Sequence, residues 1–389
     1  MTKCSRKDAR ILMTTRNFPP LIGGMERLMY DIYTVLSQDF RVGLVGPDGC
    51  QDFVDDRMPF AACAVTPVFR FLLQCQANTY RLAKQMRPHL VFAGSGLTAP
   101  MAFLASKRVG AVSVCYLHGL DIIVPNSYYR MLFHPIIRRV DCVIANSHNT
   151  RRLAEDIGVG SDKIHIVHPC VDLPTQFSEK NCVQEMYEQQ EGQGPVLLSV
   201  GRLTRRKGLV EFISECMPLL VQEYPRLTLV IVGGEASNAA TPSEGIANMI
   251  RSAAQSAGVE ENVRLLGAVD EQTLREAYQS SDICVFPVLD LPGDVEGFGI
   301  VAIEAAAHGI PTVAFRVGGI PDAISHLESG YLLEPSNYQE FSNAILEQLK
   351  ERRVSRKGCI GFAKNFSKEA FGQRLTETLQ QEVSLRRSW

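Results

Sequence analysis

The sequence lacks several features that would each assign it to a special class of protein. No stretch approaches the roughly 18 consecutive apolar residues that cross a bilayer, and the basic start lacks the apolar core and cleavage site of a signal peptide. The eleven cysteines are scattered singly without a C-x-x-C pair, and their odd number fits no disulfide framework. We therefore expect a cytoplasmic protein with reduced thiols.

A recognisable metal-binding motif is also missing. His165 and His168 lie three residues apart in "KIHIVHP", but residues at that spacing on a strand point to opposite faces. We therefore expect neither a metal nor a cofactor.

Acidic residues are nearly absent from the segment between Arg57 and Val140. Asp121 is the one acidic residue there, whereas ten residues are Lys or Arg, which gives +9. Because the whole chain carries −2, the remainder carries −11. This asymmetry favours an anionic partner, such as a phosphorylated substrate, an anionic lipid or nucleic acid. No aromatic stacking platform interleaves the charges, so we expect no nucleic acid.

The chain length and the pattern of elements predict two domains. A chain of 389 residues is too long for one ordinary core. Short β-like runs alternate with helical stretches on both sides of a polar segment, which is typical of parallel, doubly wound α/β sheets facing across a cleft. We predict Rossmann-like domains over residues 1–173 and 195–365, a linker over 174–194, and a C-terminal helix over 366–389 that packs back on the first domain. The predicted strands are 10–15, 41–46, 90–95, 111–119, 141–147, 163–169, 195–201, 227–234, 263–269, 283–287 and 311–315. The predicted helices of the second domain include 207–223, 244–257, 271–280 and 299–308, and we predict that the chain after about residue 337 is helical to its end.

Two clusters that follow predicted strands suit phosphate, because ligands of open parallel sheets bind beyond the carboxyl ends of strands. Gly23 and Gly24 precede a helix whose free amides would attract phosphate; a plain turn is the alternative. Arg202 ends a strand, Lys207 lies where we expect a helix to begin, and Arg205 and Arg206 lie between them. Cations there oppose the helix dipole, so a bound diphosphate explains them better than a solvated loop does.

Two further clusters suit hydroxyl groups. His118 directly follows an apolar strand, where an imidazole oriented by Asp121 can position an acceptor hydroxyl; a core hydrogen bond is the alternative. Glu296 lies in a glycine-rich loop, and Glu304 lies about 7.5 Å along the following helix. Carboxylates accept hydrogen bonds from vicinal hydroxyls. The pair can therefore hold the hexose and the ribose of a nucleotide sugar; an N-terminal charge plus a solvated helix glutamate is the alternative.

Together these clusters resemble one family. The segments that contain them, which are listed at the end of this paragraph, occur in the same order as in the family 4 retaining glycosyltransferases, and that family has the GT-B fold. The resemblance covers essentially the whole chain. One departure is Cys170, where the family usually has glycine; it affects a turn and no donor contact. The segments are "FPPLIGGMER", "HGLD", "VIANSHNTRRLAEDIGVGSDKIHIVHPCVD", "VGRLTRRKG", "LVIVGG" and "EGFGIVAIEAAAHGIPTVAFRVGGIPDAI".

The resemblance implies a role for each donor-site residue. In that family the glycine pair, here Gly23 and Gly24, lies near the donor phosphates. The basic pair, here Arg202 and Lys207, binds the diphosphate. Amides at Phe298 and Gly299 help to hold the sugar and the phosphates.

The remaining roles concern sugar hydroxyls. By the same resemblance, Glu296 meets hydroxyls of the transferred sugar, Glu304 binds the ribose, and His118 lies near the sugar and the acceptor. The implied reaction is hexosyl transfer with retention, by attack on the face from which the diphosphate leaves. The alternatives are a nucleotide-sugar-binding non-catalytic partner and a nucleotide-sugar 2-epimerase, which would need further carboxylates around the hexose.

The expected partners are also carried over from the family. The stretch "DVEGFGIVAIEA" is similar to that of bacterial GDP-mannose-dependent mannosyltransferases, which favours a GDP-mannose type of donor over a UDP-sugar. The expected acceptor is a lipid-linked saccharide or glycolipid of surface polysaccharide synthesis. Basic and aromatic residues in 69–74 and 126–139 predict docking on an anionic membrane, at the inner face of the plasma membrane; a core helix with charges that steer the donor is the alternative.

Overall fold

The computed structural model describes residues 9–174, 194–235 and 245–386. The predicted linker, 174–194, falls almost entirely outside the described residues. The chain divides into two compact units. The first comprises the described residues up to Cys170 together with those from Lys368 onward, and the second runs from Val171 to Ser367.

The first unit is built on a parallel sheet of seven strands in the order β3-β2-β1-β4-β5-β6-β7. Its strands are almost continuously apolar because helices cover both faces. The strands are β1 (Arg10–Thr14), β2 (Arg41–Pro47), β3 (Phe60–Cys63), β4 (Leu90–Ala93), β5 (Val112–Leu117), β6 (Cys142–Ala145) and β7 (Ile164–Ile166). The helices are α1 (Gly24–Asp39), α2 (Val68–Met86), α3 (Ala99–Val109), α4 (Leu120–Ile123), α5 (Ser127–Ile137), α6 (His148–Asp156) and, from the end of the chain, α15 (Lys368–Arg386).

The second unit repeats this plan with six parallel strands in the order β10-β9-β8-β11-β12-β13. The strands are β8 (Val196–Val200), β9 (Thr228–Val232), β10 (Val263–Gly267), β11 (Ile283–Phe286), β12 (Thr312–Phe315) and β13 (Gly330–Leu333). The helices are α7 (Leu209–Glu215), α8 (Met217–Glu223), α9 (Ile246–Ser256), α10 (Glu271–Ser280), α11 (Ile300–Ala307), α12 (Ile320–Ala323), α13 (Tyr338–Glu351) and α14 (Arg356–Ala363).

Each sheet separates two apolar clusters, as the alternation of side chains along a strand requires. In β1, Ile11 and Met13 enter the cluster that contains α1 and α15, whereas Leu12 enters the cluster that contains α2 and α3. The α/β fold with two parallel, doubly wound sheets, predicted from the alternation of elements, is therefore confirmed.

Helix α15 completes the core of the first unit. Its side chains Phe371, Leu375, Leu379 and Val383 are buried at a spacing of four residues, which places them on one face. Two polar contacts accompany this face. The Lys368 ammonium lies 3.0 Å from an Asp31 carboxylate oxygen of α1, and His165 Nε2 lies 2.9 Å from Glu382 Oε1. The helix thus joins the unit formed by the beginning of the chain.

The structure differs from the sequence prediction in four places. Strands β3 and β13 were not predicted. The helix predicted over 207–223 is a 3-10 turn at Arg205–Lys207 followed by α7 and α8, so Lys207 precedes the helix rather than beginning it. The region beyond residue 337, predicted as helical to its end, contains three separate helices. Within the described ranges, no helix is both long and apolar enough to cross a membrane.

Candidate functional site

The predicted donor residues of the second unit follow two strands of its sheet. The basic loop follows β8, the loop with Glu296 follows β11, and Glu304 lies on α11, which begins after that loop. Because β8 and β11 are neighbours in a parallel sheet, both loops emerge at the same edge.

The basic loop is fixed by a close backbone approach. Gly208 has φ +67°, and a Cβ atom there would lie 1.9 Å from the carbonyl oxygen of Pro287, so only glycine fits. The amide of Leu289 donates to the carbonyl oxygen of Arg206 (2.8 Å). The turn after β8 is therefore held against the chain that leaves β11.

Four charged side chains from these two loops form an ion-pair network: Arg206, Lys207, Asp294 and Glu296. Lys207 Nζ lies 2.9 Å from Glu296 Oε2, and the Arg206 guanidinium donates to the same oxygen. Arg206 Nε donates to Asp294 Oδ1 (2.9 Å). The side chains of Arg206 and Glu296 are only 8% and 16% exposed. Two cations and two carboxylates leave the network formally neutral, as buried charges require.

The pKa values follow from this arrangement. Burial by itself raises the pKa of Glu296, but the charges of Lys207 and Arg206 outweigh it and lower that pKa from 4.5 to about 2. Burial lowers the pKa of Lys207, and Arg206 and Arg202 add to this against the opposing charge of Glu296. Glu296 is thus a fixed anion, whereas Lys207 is incompletely compensated and would be stabilised by a further anion.

Arg202 and Arg205 are the exposed cations of this loop. Within the described ranges Arg202 makes no hydrogen bond or ion pair, whereas Arg205 is paired with Glu211. Arg202 is nevertheless close enough to Lys207 to lower its pKa. The Lys207 ammonium is also held 4.6 Å from the centre of the Phe286 ring, a cation–π contact. Arg202 and Lys207 are therefore neighbouring cations in the loop that follows β8.

Glu304 lies in a second polar group of the same unit. Tyr278, on α10, donates its hydroxyl to Glu304 Oε2 (2.9 Å). The ring of His308 stacks on that of Tyr278 at 4.9 Å, and His308 Nδ1 lies 2.9 Å from the carbonyl oxygen of Glu304. The stacked rings hold Tyr278 in place, and Tyr278 orients the carboxylate.

Phe298 and Gly299 form the start of α11. Phe298 is buried, with its ring 5.8 Å from that of Phe366, so its side chain serves packing. Gly299 has φ +95° and turns the chain into the helix, whose first amides have no intrahelical partner. The amide of Gly319 donates to the carbonyl oxygen of Glu296 (2.8 Å), which fixes the backbone before this turn.

The remaining predicted residues belong to the first unit. Gly23 precedes α1 and Gly24 begins it, as the helix-start prediction requires. Glu26, in the first turn, accepts a hydrogen bond from the Asn17 side chain (2.7 Å). A Cβ atom on Gly23 would lie 2.2 Å from Glu26 Oε2, so this glycine leaves room for the carboxylate beside it.

His118 lies buried at the carboxyl end of β5. Its Nε2 lies 2.8 Å from the carbonyl oxygen of Gly94. Because a carbonyl oxygen only accepts, Nε2 carries a proton and donates it in this hydrogen bond. The expectation that Asp121 orients this ring is wrong. The Asp121 carboxylate accepts instead from the backbone amides of Gly96, His118 and Gly119, because these amides converge at the ends of β4 and β5.

Three residues of the site were missed by the sequence prediction. Arg206 was noted only as one of several basic residues, Asp294 was not considered, and Tyr278 was read as part of an ordinary helix. Asp294 precedes Glu296 by two residues, and this spacing was the available signal for a second carboxylate. Nothing local in the sequence links Tyr278 to Glu304.

Comparison with known proteins identifies the family. Residues 22–174 match the family described as Glycosyltransferase Family 4, and residues 185–373 match that described as Glycosyl transferases group 1. The chain belongs to the family 4 glycosyltransferases. The two matched regions contain nearly all the residues discussed above, from Gly23 to Glu304.

Individual relatives of this glycosyltransferase share about 30% sequence identity with it or less. It is 30% identical to the D-inositol 3-phosphate glycosyltransferase of Corynebacterium aurimucosum over 66% of this chain, and spans 60% of that relative's length. It is 27% identical to the GDP-mannose-dependent monoacylated alpha-(1-6)-phosphatidylinositol monomannoside mannosyltransferase of Corynebacterium glutamicum, over 96% of this chain and 98% of the relative.

The fold of this glycosyltransferase is also found in solved structures. The crystal structure of Anabaena HepE in complex with UDP superimposes with a TM-score of 0.78 at 20% identity, over 96% of this chain and 100% of that one. At this identity the likeness establishes the GT-B fold.

Proposed function

We propose that this protein transfers a hexosyl group, with retention, from a nucleotide-diphosphate sugar to a lipid-linked saccharide or glycolipid. The observation that carries the proposal is the buried ion-pair network, in which Glu296 is ionised and Lys207 is left able to gain from another anion. A diphosphate beside Arg202 and Lys207 supplies that anion. Glu304, held by Tyr278, takes the ribose.

The chemistry follows from these positions. The bond between the anomeric carbon and the diphosphate oxygen breaks, and the acceptor oxygen bonds to that carbon on the same face. The acceptor proton passes to the leaving phosphate oxygen. Lys207, Arg202 and the amides at the start of α11 stabilise the charge that develops on the diphosphate. We assign no metal or cofactor, because these cations can serve the diphosphate directly.

We favour a GDP-mannose type of donor over a UDP-sugar. The similarity of "DVEGFGIVAIEA" to mannosyltransferases supports this, as do the GDP-mannose-dependent names of several relatives. The structure of HepE contains UDP. The experiment below therefore includes UDP-sugars as possible donors. The phosphatidylinositol mannosides in the relatives' names support a glycolipid acceptor, and hence a role in surface polysaccharide or glycolipid synthesis.

The decisive experiment is a donor panel. Purified protein is incubated with GDP-mannose and with common UDP-sugars, and release of the nucleoside diphosphate is followed with and without a lipid acceptor. Wild type should hydrolyse one donor slowly, and Lys207→Ala should lose on the order of 2–4 kcal/mol of transition-state stabilisation. Near-normal turnover by Lys207→Ala would refute the diphosphate assignment. Binding of a nucleotide sugar without its hydrolysis or transfer would favour a non-catalytic partner. Conversion of the donor to its 2-epimer would favour a nucleotide-sugar 2-epimerase.

We further propose that the first unit docks on an anionic membrane at the inner face of the plasma membrane. Helix α3 packs against both α2 and α5, and all three expose apolar side chains amid the basic segment 57–140. These are Val68, Phe69, Leu73, Leu104, Tyr128, Met131 and Leu132. Tyr129 and Phe133, also predicted to insert, stack on each other at 4.5 Å and are partly buried, so α5 is in part a core helix.

Vesicle co-sedimentation tests the docking. We expect binding to vesicles that contain anionic lipid at low salt, weakened by high salt because exposed charges are screened. Leu73→Ser should weaken it, whereas Leu385→Ser on α15 should not; these leucines are 70% and 72% exposed. Binding that ignores lipid charge, or none at low salt, would leave donor steering as the role of the basic segment.

A further inference from the structure

The first unit contains a group of three side chains of the kinds that bind metal ions. They belong to Cys142 on β6, His165 on β7 and Glu382 on α15. Their ligand atoms, one from each residue, all lie within 4.8 Å of one another. His165 Nε2 and Glu382 Oε1 are 2.9 Å apart. Because Glu382 lies 217 residues beyond His165 in sequence, the fold rather than a local motif brings the group together.

The strand register explains why two of the three meet. Ile144 of β6 pairs with His165 of β7, and Cys142 lies two residues before Ile144. Because side chains alternate along a strand, Cys142, Ile144 and His165 share one face of the sheet. Cys142 and Ile144 lie in the apolar cluster that contains the buried face of α15. Glu382 therefore reaches Cys142 and His165 from the helix that covers this face.

The burial of the group favours a bound cation. Cys142 is 0% exposed and the Glu382 side chain 3% exposed, whereas the His165 side chain is 24% exposed. A carboxylate among apolar side chains is costly unless a charge compensates it. A protonated His165 can compensate that one charge. A divalent cation compensates the carboxylate and a Cys142 thiolate together, so that the site has no net charge, and the exposed part of His165 leaves a way in.

The donor atoms favour one metal. A thiolate sulfur, an imidazole nitrogen and a carboxylate oxygen are the three ligand types that zinc takes, at about 2.0–2.3 Å. Mg²⁺ and Ca²⁺ prefer oxygen ligands, so the thiolate disfavours them. Around a tetrahedral zinc ion at those distances, ligand atoms lie about 3.3–3.8 Å apart. Side-chain adjustments of about 1 Å therefore complete the geometry.

We propose that Cys142, His165 and Glu382 bind one Zn²⁺ ion, with water at the fourth position. The ion is structural: it links α15 to β6 and β7, and so fastens the end of the chain to the unit formed by its beginning. The transfer reaction does not use it. The sequence argument against a metal concerned His165 together with His168, whereas the partners of His165 here come from β6 and α15.

Titration with Co²⁺ tests the site, because Co²⁺ occupies zinc sites and its absorption reports on its ligands. Protein kept reduced and stripped with a chelator is titrated with Co²⁺ and then with Zn²⁺. We expect one Co²⁺ per chain, a thiolate-to-cobalt charge-transfer band in the near ultraviolet, and loss of that band as Zn²⁺ displaces Co²⁺.

The variants identify the ligands. Cys142→Ser should lose the charge-transfer band. Glu382→Gln should weaken Zn²⁺ binding by more than about a hundredfold, since the loss of an outer-shell partner already costs up to that factor. The matched control is Cys115→Ser, at another fully buried cysteine on the neighbouring strand β5, which lies in the cluster on the opposite face of the sheet. The control should keep the band.

Hydrogen exchange of the wild-type protein makes the test independent of how the variants fold. Zn²⁺ should slow exchange in peptides from β6, β7 and α15 and leave those from β8 to β13 unchanged, because the ion binds the folded first unit. Three results would each overturn the site: no charge-transfer band in wild type, a band that survives Cys142→Ser, or exchange in α15 that saturating Zn²⁺ does not alter.

Discussion

Glu296 is the carboxylate partner of Lys207, with Lys207 Nζ 2.9 Å from Glu296 Oε2. Glu296→Gln should lower the rate of transfer strongly, because the sugar hydroxyls lose a charged acceptor, yet it should bind the free nucleoside diphosphate as well as wild type or better. The reason is electrostatic: the network changes from neutral to +1, and Lys207 loses its carboxylate partner. Calorimetry with nucleotide alone measures this.

The contrasting variant is Glu304→Gln, which should weaken free nucleotide binding on the order of tenfold because the ribose loses a charged acceptor. If both variants weakened nucleotide binding equally, the assignment of Glu296 to the sugar and Glu304 to the ribose would fail.

Tyr278 should act through Glu304 rather than on the substrate. Tyr278→Phe keeps the ring stacked on His308 but removes the hydroxyl that orients the carboxylate. We expect a severalfold rise in KM for the donor with little change in kcat, since uniform binding is lost. His326→Phe, at a ring elsewhere in the unit, serves as the comparison. A fall in kcat with constant KM would contradict a ribose-positioning role.

The sequence identified the charged residues of the site but not their pairing. Arg202, Lys207, Glu296 and Glu304 stand out because charges after strands or within glycine-rich segments need a reason. The Arg206 side chain is buried because the turn after β8 packs closely on the chain after β11. That packing depends on the close approach of Gly208 to Pro287, which lie 79 residues apart in sequence. Spacing along the chain carries no information about such a contact.

At the scale of elements, the turn that carries the cations depends on one glycine. Gly208 and Gly258 have nearly the same φ, +67° and +66°, but a Cβ atom on Gly258 meets nothing within 4 Å. Gly258→Ala should cost about 1–2 kcal/mol, the strain of a left-handed residue. Gly208→Ala should cost clearly more and also weaken nucleotide binding, because the clash with Pro287 displaces Lys207. Chemical unfolding and calorimetry measure both effects; equal costs would show that the contact does not set the turn.

Most strands were predictable because buried parallel strands are uninterrupted apolar runs. The two that were missed are four-residue strands, each at an edge of its sheet. Strand β3 consists of four residues, Phe60–Cys63, whose exposure alternates, as expected at the edge of a sheet. Strand β13 begins with Gly330, where a Cβ atom would lie 2.1 Å from the carbonyl oxygen of Thr312. In the sequence, a glycine at this position indicates a turn. In the structure, Gly330 instead allows β13 to pair closely with β12.

At the scale of the whole molecule, α15 belongs to the first unit although the whole second unit separates it in sequence from the rest of that unit. Leu379→Ala, at a fully buried position, should cost about 2–5 kcal/mol. Hydrogen exchange should become faster in β1 and α1, and peptides from β8 to α14 should stay protected, because the buried face of α15 packs in the first unit's cluster. Leu385→Ala, at an exposed position of the same helix, is the control. Faster exchange in both units would contradict this assignment of the helix.

The return of α15 to the first unit has a consequence during translation. The second unit is continuous in sequence, so all of it is synthesised before the last segment of the first unit. Until then the nascent chain presents the apolar groove beside Val35, which Gly372 later approaches closely, to the surrounding solvent and to chaperones. A premature stop codon near the 3′ end of the message would therefore damage the part of the protein that was synthesised first.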